Sequence, residues 1–151
     1  MELLRLRDLR ETLNLIEAHY KDQKIVVSRL FEFANMLTTE ENQRLFSGFA
    51  VEGHLDKDYF DVHFVGRSFR FAFQLCWNAK EGSVTKLSCC QFFPNELDTK
   101  PKLIYEIKVD RRGVTNSSHA GAPDGYGADC RDRNDALSLI LQGILSGLEE
   151  S

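Results

Sequence analysis

The chain reads as an α+β domain, with N-terminal helices, a five-stranded antiparallel meander and a C-terminal helix packed on the apolar face of the sheet. Three observations predict this. Apolar residues recur at steps of three and four near both ends, and at every second position between Phe49 and Val109. These are the periods of helix and strand. The breaks between the first three period-two segments, Asp56 to Tyr59 and Gly66-Arg67, are short enough to be hairpin turns. The 151 residues, 42% of them hydrophobic, suffice for one core and are read as a single domain over 1–151.

Leu6, Leu9, Leu13, Ile16 and Tyr20 form one stripe, with Arg7, Arg10, Glu11, Asn14, Glu17 and Lys21 opposite, which predicts an amphipathic helix. The stripe has coiled-coil spacing but covers little more than two heptads, so packing on the sheet is its expected use. Val26, Leu30, Phe33 and Leu37 have helical spacing and predict a second helical stretch over residues 25–37, against the strand preference of Ile25-Val26-Val27. Thr38 followed by Glu41 has the capping-box form, predicting a short helix to about Phe46.

Phe49, Val51 and Leu55 mark a first strand, Phe60, Val62 and Phe64 a second, and Phe69, Phe71, Phe73, Leu75 and Trp77 a third. A turn at Gly66-Arg67 would place Phe64 opposite Phe69, Val62 opposite Phe71 and Phe60 opposite Phe73. Every large apolar residue of the pair then lies on one face. Val84 to Phe93 and Leu103 to Val109 read as the fourth and fifth strands. Arg112 to Arg131, with Gly113, Gly121, Pro123, Gly125 and Gly127, has no period and reads as a long loop. Ala136, Leu137, Ile140, Leu141, Ile144, Leu145 and Leu148 then form a broad helical stripe, with Asp132, Asn134 or Asp135 as the N-cap.

A net charge of -4 and a pI near 5.6 make nucleic acid a poor expected partner, since phosphate binding needs a basic face. Met1 to Asp22 alternates leucines with charges and lacks the apolar core of a signal peptide, and no stretch approaches the length of a membrane span. Cys76, Cys89, Cys90 and Cys130 form no Cys-x-x-Cys motif, so reduced thiols in a cytoplasmic protein are expected.

If the phenylalanines face the core, Glu52, His54, Asp61, His63 and Arg70 share the other face. A four-residue turn over Asp56 to Tyr59 would put His63 between Glu52 and Arg70 across three strands, and His54 beside Asp61. These residue types suit acid-base or metal chemistry, but an antiparallel sheet ordinarily has one solvated face carrying paired charges. No complete ligand set is visible, so neither a metal nor another cofactor is expected. In the long loop, Arg112, His119, Asp124, Tyr126 and Arg131, with Arg133 at the start of the last helix, are the candidates for binding. Arg111, Arg112, Arg131 and Arg133 there have the chemistry of an anion site, and His119 with Cys130 is the loop pair nearest to a thiol catalyst. On Cys89-Cys90, opposite side-chain directions predict one buried and one outward thiol.

Nothing forms a specific catalytic signature, so the expected function is that of a noncatalytic protein-protein interaction module. A small acidic inhibitor, immunity or adaptor protein acting on a nuclease or defence complex fits the charge. The second reading is a small-ligand-binding protein or enzyme with its site between the polar sheet face and the loop over 112–131. Shortening that loop is expected to weaken partner binding while leaving the melting temperature near native, because closure entropy changes slowly with length. Full affinity in a shortened variant would mark the loop as a passive connector.

Overall fold

The structure, a computed structural model, describes residues 5–39, 48–93, 100–115 and 127–149. Helix α1 (Leu6–Asn35) precedes strands β1 (Ala50–His54), β2 (Tyr59–Phe64), β3 (Arg67–Asn78), β4 (Gly82–Phe92) and β5 (Lys102–Val109), and α2 (Arg133–Leu148) closes the chain. The strands pair antiparallel in chain order, as the expected meander. The short helix expected after Thr38 falls on residues outside the described ones; the Thr38 hydroxyl donates to the Asn35 carbonyl at 2.7 Å.

The two helical stretches read at the N-terminus are one helix of 30 residues. Lys21-Asp22-Gln23-Lys24 contains neither glycine nor proline, so nothing interrupts it. Its stripe is continuous too: Leu6, Leu9, Leu13, Ile16, Tyr20, Gln23, Val27, Leu30 and Ala34 keep alternating steps of three and four. Gln23, Val27, Leu30 and Ala34 are buried, whereas Leu6, Leu9 and Leu13 are 73%, 42% and 64% exposed. This corrects the expectation that the leucines pack on the sheet, which does not reach them.

Both helices lie on the same face of the sheet. Phe60, Val62, Phe69, Phe71, Phe73, Leu87 and Cys89 point toward them and are buried. Phe31 of α1 packs at 5.8 Å, centroid to centroid, on Phe60. Helix α2 comes closer still. A Cβ on Gly143 would lie 2.9 Å from Cys89 Sγ, and one on Gly147 would lie 2.6 Å from Phe69, so at these positions only glycine lets the helix settle on the sheet. Of the three candidate caps, Asp132 serves, its carboxylate accepting from the Asp135 amide at 3.1 Å.

The register of the central hairpin differs from the expected one by two residues. Val65 and Gly66, with φ of 48° and 77°, form the turn instead of Gly66 and Arg67. Two consecutive left-handed residues match the twist of a tight hairpin. Phe64 therefore faces Arg67, Val62 faces Phe69 and Phe60 faces Phe71. A slip of two preserves the side-chain phase, so the aromatic layer still forms on one face.

A buried polar cluster joins α1 to β4. Thr85 Oγ1 donates to Gln23 Oε1 at 2.9 Å, which leaves it to accept from His19 Nε2 at 3.2 Å, while His19 Nδ1 meets the Ser83 hydroxyl at 2.7 Å. This arrangement suits a neutral imidazole. Burial foremost, then the Arg111 charge, lowers the His19 pKa, against a weaker opposite pull from Asp22 and Asp110. At high pH the imidazole is neutral in both folded and unfolded chains. Below about pH 6.5 the unfolded chain takes up a proton that the fold resists, so stability falls with pH. The urea midpoint is expected to drop more between about pH 7.5 and about pH 5.5 in the native chain than in His19→Gln. Equal drops would mean that the folded imidazole protonates freely.

Candidate functional site

The face of the sheet away from the helices carries the polar residues that strand alternation assigns to it. Glu52, Asp61, Arg70 and Cys90 stand side by side across β1 to β4. The centre of this row is Asp61, not His63 as expected, and His54 faces Tyr59 instead of Asp61. The reason is again the placement of turns. The connection from β1 to β2 occupies Leu55 to Asp58, one position earlier than expected, and is tied to α1. Lys24 pairs with Asp58 at 2.7 Å and donates to the Leu55 carbonyl at 3.0 Å, while the Tyr20 hydroxyl donates to Asp58 at 2.7 Å.

Asp61 is buried although it lies on the open face. Arg70 grips it through both oxygens, Nε at 2.8 Å from Oδ1 and Nη2 at 3.0 Å from Oδ2. Such a planar fork suits a carboxylate better than any other cation. The guanidinium in turn lies 4.0 Å from the Tyr59 ring centroid and 5.1 Å from that of Phe92. The hydrogen bonds that Arg70 donates to Asp61 are the largest cause of a raised Arg70 pKa, so the guanidinium stays charged at any physiological pH.

Around this pair stand the remaining polar candidates. His54 Nε2 is 3.0 Å from Glu52 Oε1, and His63 Nε2 is 3.5 Å from Glu52 Oε2. His63 Nδ1 meets the hydroxyl of buried Ser68 at 2.7 Å, and the His54 ring packs at 4.9 Å against Tyr59. One donor atom from each of Glu52, His54 and Asp61 lies within 4.8 Å of the others. Tyr59, Ser68 and Phe92 were absent from the sequence candidates. Their outward phase on the strands was the available signal, because each alternates with a buried neighbour.

Of the loop candidates, Arg112, Arg131 and Arg133 are described and lie elsewhere. Among the described residues, the loop rises as a short ribbon in which Val114 bridges Asp129 and Thr115 bridges Val109. Gly113 packs against Val26 of α1, so the root of the loop belongs to the helix side of the sheet, opposite the polar face. Arg112 and Arg131 pair with their neighbours Asp110 and Asp129 at 3.2 and 3.3 Å, and Arg111 with Asp22 at 2.6 Å, which occupies the guanidinium groups proposed for an anion. Arg133 is exposed at the first residue of α2. His119, Asp124 and Tyr126 lie outside the described residues.

Cys130 and Cys89 are poorly placed for thiol chemistry. Cys130 is buried and its pKa is pushed up to about 12, first by burial, and burial raises that of Cys89 as well. Such thiols stay protonated and unreactive. Cys90 faces the open side, half-buried. A cleft of about 300 Å³ lined by Ser83, Val84, Lys108, Val109, Asp110, Val114 and Thr115 contains none of the candidate residues. No protein-family model, curated protein or solved structure matches this chain.

Because Asp61 is buried, replacing Arg70 with methionine strands a carboxylate and is expected to cost about 1–3 kcal/mol in chemical denaturation. Adding Asp61→Asn should recover part of that loss. A double variant no more stable than Arg70→Met alone would show that the carboxylate does not depend on the guanidinium.

Proposed function

We propose that this chain is a noncatalytic protein-binding module that takes its partner on the first half of α1. The observation that carries this reading is the exposure of Leu6, Leu9 and Leu13 on the very stripe whose later members, Gln23, Val27, Leu30 and Ala34, are buried against the sheet. A helix that presents leucines to water at heptad spacing is suited to a hydrophobic groove or a second helix. Burying three leucines is worth roughly 1.5–3 kcal/mol each, comparable to the freedom lost on association, so the stripe anchors the partner and polar flanks such as Arg7, Arg10 and Glu17 add the rest.

The wider reading is an acidic inhibitor, immunity or adaptor protein in the cytoplasm, acting on a nuclease or defence complex. The net charge of -4 suits a basic partner surface, and the free cysteines Cys76, Cys89, Cys90 and Cys130 suit a reducing compartment. An enzymatic reading finds less support, because the buried thiols are inert and the described part of the loop does not share a face with Glu52, His54, Asp61, His63 and Arg70.

The test is affinity capture from the native cell with wild type and with the triple variant Leu6→Ser, Leu9→Ser, Leu13→Ser. A stoichiometric partner that is captured by wild type and lost from the triple variant, at unchanged melting temperature, is the expected result. A partner retained by the triple variant, or no partner at all, would remove the basis for the proposal.

A further inference from the structure

The geometry points to a divalent transition-metal site on the open sheet face, with His54, Glu52 and Asp61 as ligands. One donor atom from each lies within 4.8 Å of the others, and the closest contact is the 3.0 Å between His54 Nε2 and Glu52 Oε1. Around zinc or cobalt at about 2.0–2.2 Å, tetrahedral donors stand roughly 3.3–3.6 Å apart, so the 3.0 Å His54–Glu52 pair opens slightly and any separation near 4.8 Å closes. Glu52 is 58% exposed at its side chain, which gives it room for that adjustment. One imidazole nitrogen with two carboxylate oxygens suits a borderline ion of the zinc, cobalt or nickel type.

What separates this group from a chance cluster of surface acids is that each ligand is held by a partner of its own. Tyr59 lies against the His54 ring at 4.9 Å. His63 Nε2 reaches the second Glu52 oxygen at 3.5 Å, and His63 is itself oriented by the buried Ser68 hydroxyl at 2.7 Å from Nδ1. Arg70 fixes Asp61 in a bidentate grip. Outer partners of this kind set the direction in which a ligand's lone pair points. The grip of Arg70 does not exclude the ion, because each carboxylate oxygen keeps a second lone pair. The charges also fit: Glu52 and Asp61 with Arg70 leave one net negative charge facing a dication. Among the described residues no helix lies over this face of the sheet, which leaves room for the remaining coordination positions.

Titration calorimetry of the full chain with zinc chloride, and the visible spectrum of its cobalt(II) complex, test the site. One ion per chain is expected, weakened at least about tenfold by His54→Ala and by Glu52→Gln, and to a smaller degree by His63→Ala. Binding that survives both His54→Ala and Glu52→Gln, or no binding by the wild-type chain, overturns the assignment. If Glu52→Gln fails to fold by circular dichroism, His54→Ala alone decides. The leucine variants of α1 leave this titration unchanged, so the metal site and the partner-binding reading stand or fall separately.

Discussion

The aromatic layer of Phe60, Phe69, Phe71 and Phe73 has to be kept from water, and both helices serve that one purpose on the same side of the sheet. Among the described residues, the other face has no second layer. Every polar feature of the open side follows from that asymmetry. The closeness of α2 is set by Gly143 and Gly147, which allow its backbone to lie almost against Cys89 and Phe69. A bulkier residue at either position would lift the helix and open the layer beneath it.

On the open side, the strands bring together groups that are distant in sequence and would be costly to bury alone. Asp61 is buried only in company with Arg70, whose planar head is in turn sheltered by Tyr59 and Phe92. The attraction of such a pair scarcely exceeds its desolvation cost, so its main effect is to fix position. With Asp61 held, Glu52 and its two histidines acquire a fixed neighbour, and an otherwise ordinary solvated face gains one organised corner.

Much of the architecture was legible in the amino-acid order because the side-chain period survives small errors. Alternation told which way Phe60, Val62, Phe69 and Phe71 point, and a hairpin slipped by two residues points them the same way. Partners across strands were a different matter. Placing Asp61 rather than His63 beside Glu52 and Arg70 required the exact turn residues, and those depend on long-range ties: Lys24 and Tyr20 of α1 hold Asp58 in the first turn. The second turn uses a valine at φ 48°, a conformation that β-branched residues avoid, so no local rule would have chosen it. The continuous α1 was hidden for another reason. Gln23 and Ala34 sit on its buried stripe without being strongly apolar, which made one long repeat look like two short ones.

That long helix is uniform in geometry but not in tenacity. From His19 onward its turns are clamped by tertiary packing, so the amide protons there are expected to exchange most slowly. The turns before Ile16 have little beyond their own hydrogen bonds and the exposed Arg7–Glu11 pair at 3.3 Å. A dozen residues of helix in water are marginal by themselves. The N-terminal end of α1 is therefore the part of the helix expected to fray first. Any molecule that settles on its leucines gains contact area and must also supply the entropy of stilling those turns.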